Sequence, residues 1–174
     1  MACFYPMQAL RLDQKTSKGK SVIRFIPKNQ WDQYVSDPRL LQGLPCGQCV
    51  GCRLERSRQW AIRCMNEAQL HDDNCFITLT FDDEHLYKRD NPISLDKSEF
   101  QKFMKRLRKR FGKVRYYMCG EYGETSRRPH YHAILFGIDF SDKVLEKIVN
   151  GNRYYTSSIL CDLWPFGFNI ITDV

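Results

Sequence analysis

The sequence predicts an α+β protein: an antiparallel sheet in the order β-α-β-β-α-β with helices on one face, preceded by a small cysteine-rich lobe. Three observations predict it. Short β-branched and aromatic runs alternate with segments of helical periodicity, two of those runs flank a polar loop, and three cysteines crowd into Cys46-Gly47-Gln48-Cys49-Val50-Gly51-Cys52.

In chain order, residues 1–45 read as irregular, with 8–12 and 21–26 alternating weakly as a small hairpin across the polar loop 13–20. Residues 53–70 carry Leu54, Trp60, Ala61, Cys64, Met65 and Ala68 at three- and four-residue steps, which predicts a helix with one apolar face. Residues 75–81 are a buried strand ended by the acidic turn Asp82-Asp83-Glu84. Ser94 then caps a helix over 95–111, with Phe100, Phe103, Met104 and Leu107 as its stripe and Gly112 as its stop. Residues 114–121 and 130–138 are the next two strands, a hairpin closed by the polar loop 122–129. Ser141 caps a short helix through Val149, residues 156–164 add another turn or two, and 167–172 form the last strand. Two regions follow: residues 1–72, where hairpin, cysteine cluster and basic helix pack on the core, and residues 73–174, the sheet domain.

A chain of 174 residues with 43% hydrophobic and 13% aromatic content fills one core plus a small appendage, not two large domains. Its 27 basic against 20 acidic residues give a net charge of +7, which favours a polyanionic partner. Nucleic acid is the first expectation and an acidic membrane surface the second. No run of eighteen apolar residues exists, and residues 1–12 lack a signal-peptide layout, so the expectation is a cytosolic protein. Its eight cysteines are then reduced, and their clustering points to metal rather than disulfides.

The residues that carry chemistry are His130-Tyr131-His132. Alternate residues of a strand share a face, so both imidazoles can grip one ion. Glu121 ends the preceding strand, and a hairpin over 122–129 returns its carboxylate beside them. Two imidazoles and a carboxylate leave open positions on a divalent ion, which can polarise a phosphate oxygen. The cysteine run offers three thiolates at a spacing that suits zinc, which needs a fourth ligand; an iron–sulfur cluster and three plain thiols are the other readings. Between Gln101 and Arg115 stand eight Lys or Arg and no acid, either a solvated helix face or a phosphate-binding one.

Phe76-Ile77-Thr78-Leu79-Thr80-Phe81 resembles the first motif of HUH-superfamily rolling-circle replication initiators. Residues 128–137, Arg-Pro-His-Tyr-His-Ala-Ile-Leu-Phe-Gly, resemble the second, with Gly120-Glu121-Tyr122-Gly123 leading into it. Together with Pro45 to Arg53 these runs are similar to the Microviridae, gokushovirus-like type, and the resemblance covers nearly the whole chain. It implies the HUH endonuclease fold and a Mg²⁺- or Mn²⁺-dependent nicking enzyme, a nucleotidyltransferase acting on single-stranded DNA at a phage replication origin. Such an enzyme links a tyrosine to the 5′-phosphate, leaves a free 3′-hydroxyl for the host replication machinery, and later rejoins the strand. On this mapping His130, His132 and Glu121 are the metal ligands. Cys3 completes a structural Zn²⁺ site with Cys46, Cys49 and Cys52, because the family has a cysteine near its start; Cys64 is the alternative. The resemblance also implies a nucleophilic tyrosine on a helix after the last strand, expected beyond Val174, with Tyr154 and Tyr155 as poor substitutes.

For DNA the expected contacts are Arg53, Arg56, Lys105, Arg108, Arg127, Arg128 and Tyr131, with Tyr116 or Phe76 as further stacking candidates. The expected setting is the cytoplasm of a bacterial host, away from membranes. Two competing readings are a non-catalytic zinc-containing module for single-stranded nucleic acid and a relaxase or transposase of the same superfamily.

Overall fold

The computed structural model describes residues 3–174, which divide into two compact units, one ending at Arg63 and one running Cys64–Val174.

In the first unit β1 (Met7–Lys15) pairs antiparallel with β2 (Ser21–Ile26) and with β3 (Leu40–Leu44), in the order β2-β1-β3. The expected hairpin is present. The third strand and the 3-10 turn Lys28–Tyr34 were not expected, because Leu40-Leu41-Gln42-Gly43-Leu44 is short and broken by a glycine. Only Ala9, Leu10 and Ile26 are buried hydrophobics here among the described residues, too thin a core for independent stability without another cross-link. Helix α1 (Val50–Ala68) crosses the division between the units. Its predicted apolar stripe is largely open: Leu54, Trp60 and Met65 are all exposed.

The second unit is a six-stranded antiparallel sheet in the order β5-β6-β4-β9-β8-β7. Its strands are β4 (Asn74–Leu79), β5 (Arg115–Tyr122), β6 (Pro129–Phe136), β7 (Val144–Val149), β8 (Asn152–Thr156) and β9 (Asn169–Asp173). Three helices accompany them: α2 (Asp83–Tyr87), α3 (Lys97–Phe111) and α4 (Ser158–Leu163). The α+β class and antiparallel pairing agree with the sequence reading. On β4, Cys75, Ile77 and Leu79 are buried, and on β6 so are Tyr131, Ala133 and Leu135. They meet Phe100, Phe103, Met104 and Leu107 of α3 and Leu160 and Leu163 of α4 in one cluster. Each such side chain contributes about 1.5–3 kcal/mol by leaving water. Period-2 alternation then sends Phe76, Thr78, His130 and His132 to the opposite face, which α3 does not cover.

Two expectations fail in instructive ways. Residues 141–149 are not a helix: β7 and β8 form a hairpin whose turn is Asn150-Gly151, with φ of 51° and 80°. Asn-Gly between Val149 and Asn152 is the preferred chemistry for a two-residue turn, and Val144, Ile148 and Val149 favour a strand. The cap of α3 is Asp96, whose side chain accepts from Ser98 N, rather than Ser94. Likewise Asp82, read as part of a turn, caps α2 by accepting from His85 N. Cys75 is buried in its strand, whereas Cys119 and Cys161 are exposed.

Candidate metal centre and nucleic-acid face

The strand register builds the site. Glu121 of β5 stands opposite His130 of β6, and His132 stands between Cys119 of β5 and Thr78 of β4. Glu121 Oε2 lies 3.3 Å from His132 Nε2 and 3.9 Å from His130 Nε2, and the three ligand atoms fall within 4.8 Å of one another. Both imidazoles are largely sheltered, whereas the Glu121 side chain is 60% exposed. The sequence-predicted triad is therefore brought together on one face.

Hydrogen bonds at the far nitrogens orient the rings. His130 Nδ1 lies 3.1 Å from Arg128 O, and a carbonyl only accepts, so Nδ1 carries the proton and Nε2 presents its lone pair. His132 Nδ1 lies 2.9 Å from Thr78 Oγ1, and its ring stacks on Phe76 at 5.5 Å between centroids. Burial holds the His132 imidazole below its ordinary pKa of 6.5, helped by His130, while Glu121 pulls the other way. A divalent cation among the three groups could take the Glu121 carboxylate and the two Nε2 atoms as ligands together. Two ligands at right angles, each about 2.1 Å from a divalent ion, would stand about 3 Å apart, and the donor set here suits that geometry.

In the first unit Cys3, Cys46, Cys49 and Cys52 form the second candidate group, all four sulfurs within 4.8 Å of one another. Cys3 Sγ is 3.9 Å from Cys49 Sγ, and Cys46 Sγ is 4.0 Å from Cys52 Sγ. Four thiolates around a tetrahedral zinc at about 2.3 Å have sulfurs roughly 3.8 Å apart. Cys64, the alternative fourth ligand, is not in the group. Backbone amides point at these sulfurs: Cys46 N at Cys3, Cys49 N at Cys46, and both Cys52 N and Phe4 N at Cys49. The Cys52 and Phe4 amides lower the Cys49 thiol to about 6. Cys52 receives an amide from Gly47, yet desolvation and the neighbouring sulfurs raise its thiol to about 12. Four sulfurs that cannot all ionise side by side form a cluster compatible with structural zinc.

The DNA-contact expectations divide. Arg128 reaches the metal face: its guanidinium pairs with Asp83 and donates to Phe81 O at 2.7 Å, and it lines a cleft of about 470 Å³ together with His130. Arg127 is exposed beside it with φ of 55°. Tyr131 is a correction. It is 1% exposed, and its hydroxyl donates to Glu99 Oε2 at 2.6 Å and accepts from Asp96 N at 3.1 Å. Standing between the histidines, it must point to the other face, so it anchors α3 and cannot stack on a base. Tyr116 likewise packs on Phe100, and the Arg108 guanidinium lies over Tyr116 and donates to Val114 O. Lys105 and Arg108 belong to α3, across the sheet from the triad, so the basic tail does not border the metal face. In the first unit Arg53 lies on α1, and Arg56 donates to Gly47 O at 3.3 Å. A second groove of about 710 Å³ joins His132, Phe76 and Thr78 to Tyr154, for which packing or stacking on DNA was the expectation, and to Arg153, which the sequence reading did not single out. The Asn150-Gly151 turn that sets Arg153 and Tyr154 beside the sheet was the signal that could have found them.

The family model of replication-associated proteins of the ORF2 and gene 2 protein type matches residues 74–174. Replication-associated protein ORF2 of Spiroplasma virus 4 is 32% identical over 100% of this chain and 57% of its own length. Replication-associated protein VP4 of Bdellovibrio phage phiMH2K is 38% identical over 71% of this chain and 41% of its own. Replication-associated protein ORF4 of Chlamydia phage 1 is 36% identical over 72% and 33%. The chain thus spans between a third and somewhat over half of the length of these relatives. No solved structure matches it.

Proposed function

Because the chain belongs to this family of replication-associated proteins, as its Microviridae-type motifs lead one to expect, we propose that it nicks and rejoins single-stranded DNA at a replication origin. A role in phage DNA replication is the broader part of this reading, and it rests on the relatives. Nicking is the finer part. The observation that carries it is the convergence of Glu121, His130 and His132 on an open sheet face, their ligand atoms within 4.8 Å of one another.

The four strands β5-β6-β4-β9, with α3 after β4 and α4 before β9, have the order of a ferredoxin-like sheet, which supports the HUH fold. The β7–β8 hairpin is then an insertion between β6 and α4. Glu121, His130 and His132 would hold the divalent ion, Mg²⁺ or Mn²⁺. When bound, that ion supplies Lewis-acid polarisation of a non-bridging phosphate oxygen. Arg128 O and Thr78 Oγ1 keep the two rings aimed, so little reorganisation is needed as charge develops on phosphorus. A tyrosine hydroxyl loses its proton to solvent as its oxygen attacks the phosphorus, the P–O3′ bond breaks, and the departing 3′ oxygen takes up a proton from solvent. The product is a 5′-phosphotyrosine and a free 3′-hydroxyl, and the reverse displacement reseals the strand. Tyr131, buried and tied to α3, is not that tyrosine. The Cys3, Cys46, Cys49 and Cys52 group holds zinc as the cross-link the thin first unit requires.

The test is the coupling of metal to DNA. Mn²⁺ is expected to tighten binding of a single-stranded oligonucleotide relative to EDTA, and the H130A/H132A double variant is expected to lose that gain. Equal affinity with and without Mn²⁺ would instead favour a non-catalytic binding module.

A further inference from the structure

The cleft beside His130 carries an aromatic group that the metal chemistry does not use. Phe168, the residue before β9, is 71% exposed on its wall. Its position follows from the register. Leu79 pairs with Asn169 and with Tyr131, so the neighbouring Thr80 lies between Phe168 and His130. Glu121, His130, Thr80 and Phe168 therefore form one row across the open face, in which Phe168 stands two strand spacings, about 10 Å, from His130.

The backbone that carries Phe168 is pinned. Thr80 donates to Phe168 O twice, from N at 2.8 Å and from Oγ1 at 3.0 Å, and Asp82 N donates to Phe166 O at 3.0 Å. Between them Gly167 passes so close that a Cβ on it would lie 2.2 Å from Asp82 N, so only glycine admits this approach. A phenyl ring on a loose loop could fold back onto apolar neighbours; one held at both adjacent carbonyls stays at the rim of the cleft. Residues of opposite polarity stand across from it, with Arg128 on the cleft wall and its guanidinium committed to Asp83 and Phe81 O.

We infer that Phe168 is a stacking platform for an unpaired nucleobase of single-stranded DNA, the one attached to the phosphate that the Glu121, His130 and His132 site would hold. The inference rests on the proposed nicking function and adds a subsite to it. Every base offers a π-face, so such a platform grips a single strand without choosing a sequence, while duplex DNA, with its bases already stacked, gains nothing from it. The pinned backbone fixes where the ring springs from the cleft wall before DNA arrives.

The test uses the full chain and a short oligonucleotide carrying 2-aminopurine, whose fluorescence is quenched on stacking, titrated in EDTA and again in Mn²⁺. F168A is expected to weaken binding roughly five- to a hundredfold in both buffers and to abolish the quench, whereas F168Y and F168W retain both. Its Mn²⁺ affinity without DNA and its Tm are expected to match the wild type. H130A/H132A gives the opposite pattern, with Mn²⁺ lost and the EDTA quench kept, so failure of the metal site and failure of the platform are told apart. Unchanged oligonucleotide affinity in F168A would overturn the inference, as would a Tm several degrees lower with the quench intact, which would make Phe168 a packing residue.

Discussion

Thr78 and Tyr131 show how closely single side chains determine the site. The Thr78 hydroxyl is the only described partner of His132 Nδ1, and removing it frees the ring to turn about its bond to the strand. T78V preserves shape and deletes that oxygen; Mn²⁺ affinity measured by titration is expected to drop about 10- to 100-fold with little change in Tm. His132 also makes a prediction about pH. Its folded pKa lies below 6.5 because the ring is sheltered, so below pH 6.5 the unfolded chain binds the proton more readily. Its contribution to stability is therefore present above 6.5 and is lost as pH falls through the lower folded value. H132Q, which cannot titrate, should flatten the decline of Tm between pH 7 and 5. The triad was legible in the sequence because a one-residue spacing on a strand needs no tertiary knowledge. Tyr131 was misread although the same alternation excludes it: a residue between two that share a face belongs to the other face.

At the scale of elements, caps and turns separate what the sequence disclosed from what it did not. Helix α3 ends as read, yet it starts at Asp96, not Ser94. D96A should lower stability by about 1 kcal/mol in denaturant unfolding, while S94A should have a much smaller effect. Residues 141–149 hid their strand because Val144, Leu145 and Ile148 also fit a helical spacing; the Asn150-Gly151 turn resolves the ambiguity. G151A places a Cβ at φ of 80°, where L-residues are strained, and should destabilise the hairpin, seen as faster amide exchange across β7 and β8. The sheet strands β4, β6 and β9 were readable because each has one buried face, and β5 because the polar loop after it returns the chain to β6. The third strand of the first unit and the aromatic Phe168 were not, since neither alternation nor motif marks them.

For the molecule as a whole, two units with unequal cores imply unequal dependence on metal. Among the described residues the first unit buries three hydrophobic side chains and clusters four sulfurs, and the second buries a continuous cluster from Cys75 to Ile171. A zinc chelator should accelerate amide exchange in β1, β2 and β3 while leaving β4, β6 and α3 protected; uniform exchange in both would count against a structural role for the sulfurs. The net charge of +7 suits a replication protein, but it did not disclose where the charge is used, for the basic tail of α3 lies opposite the histidines. The most direct test of the central claim is an anomalous difference map from crystals soaked in Mn²⁺. A peak about 2.2 Å from His130 Nε2, His132 Nε2 and a Glu121 oxygen is the predicted result. A clean map over those three side chains, with manganese bound elsewhere or nowhere, would contradict it.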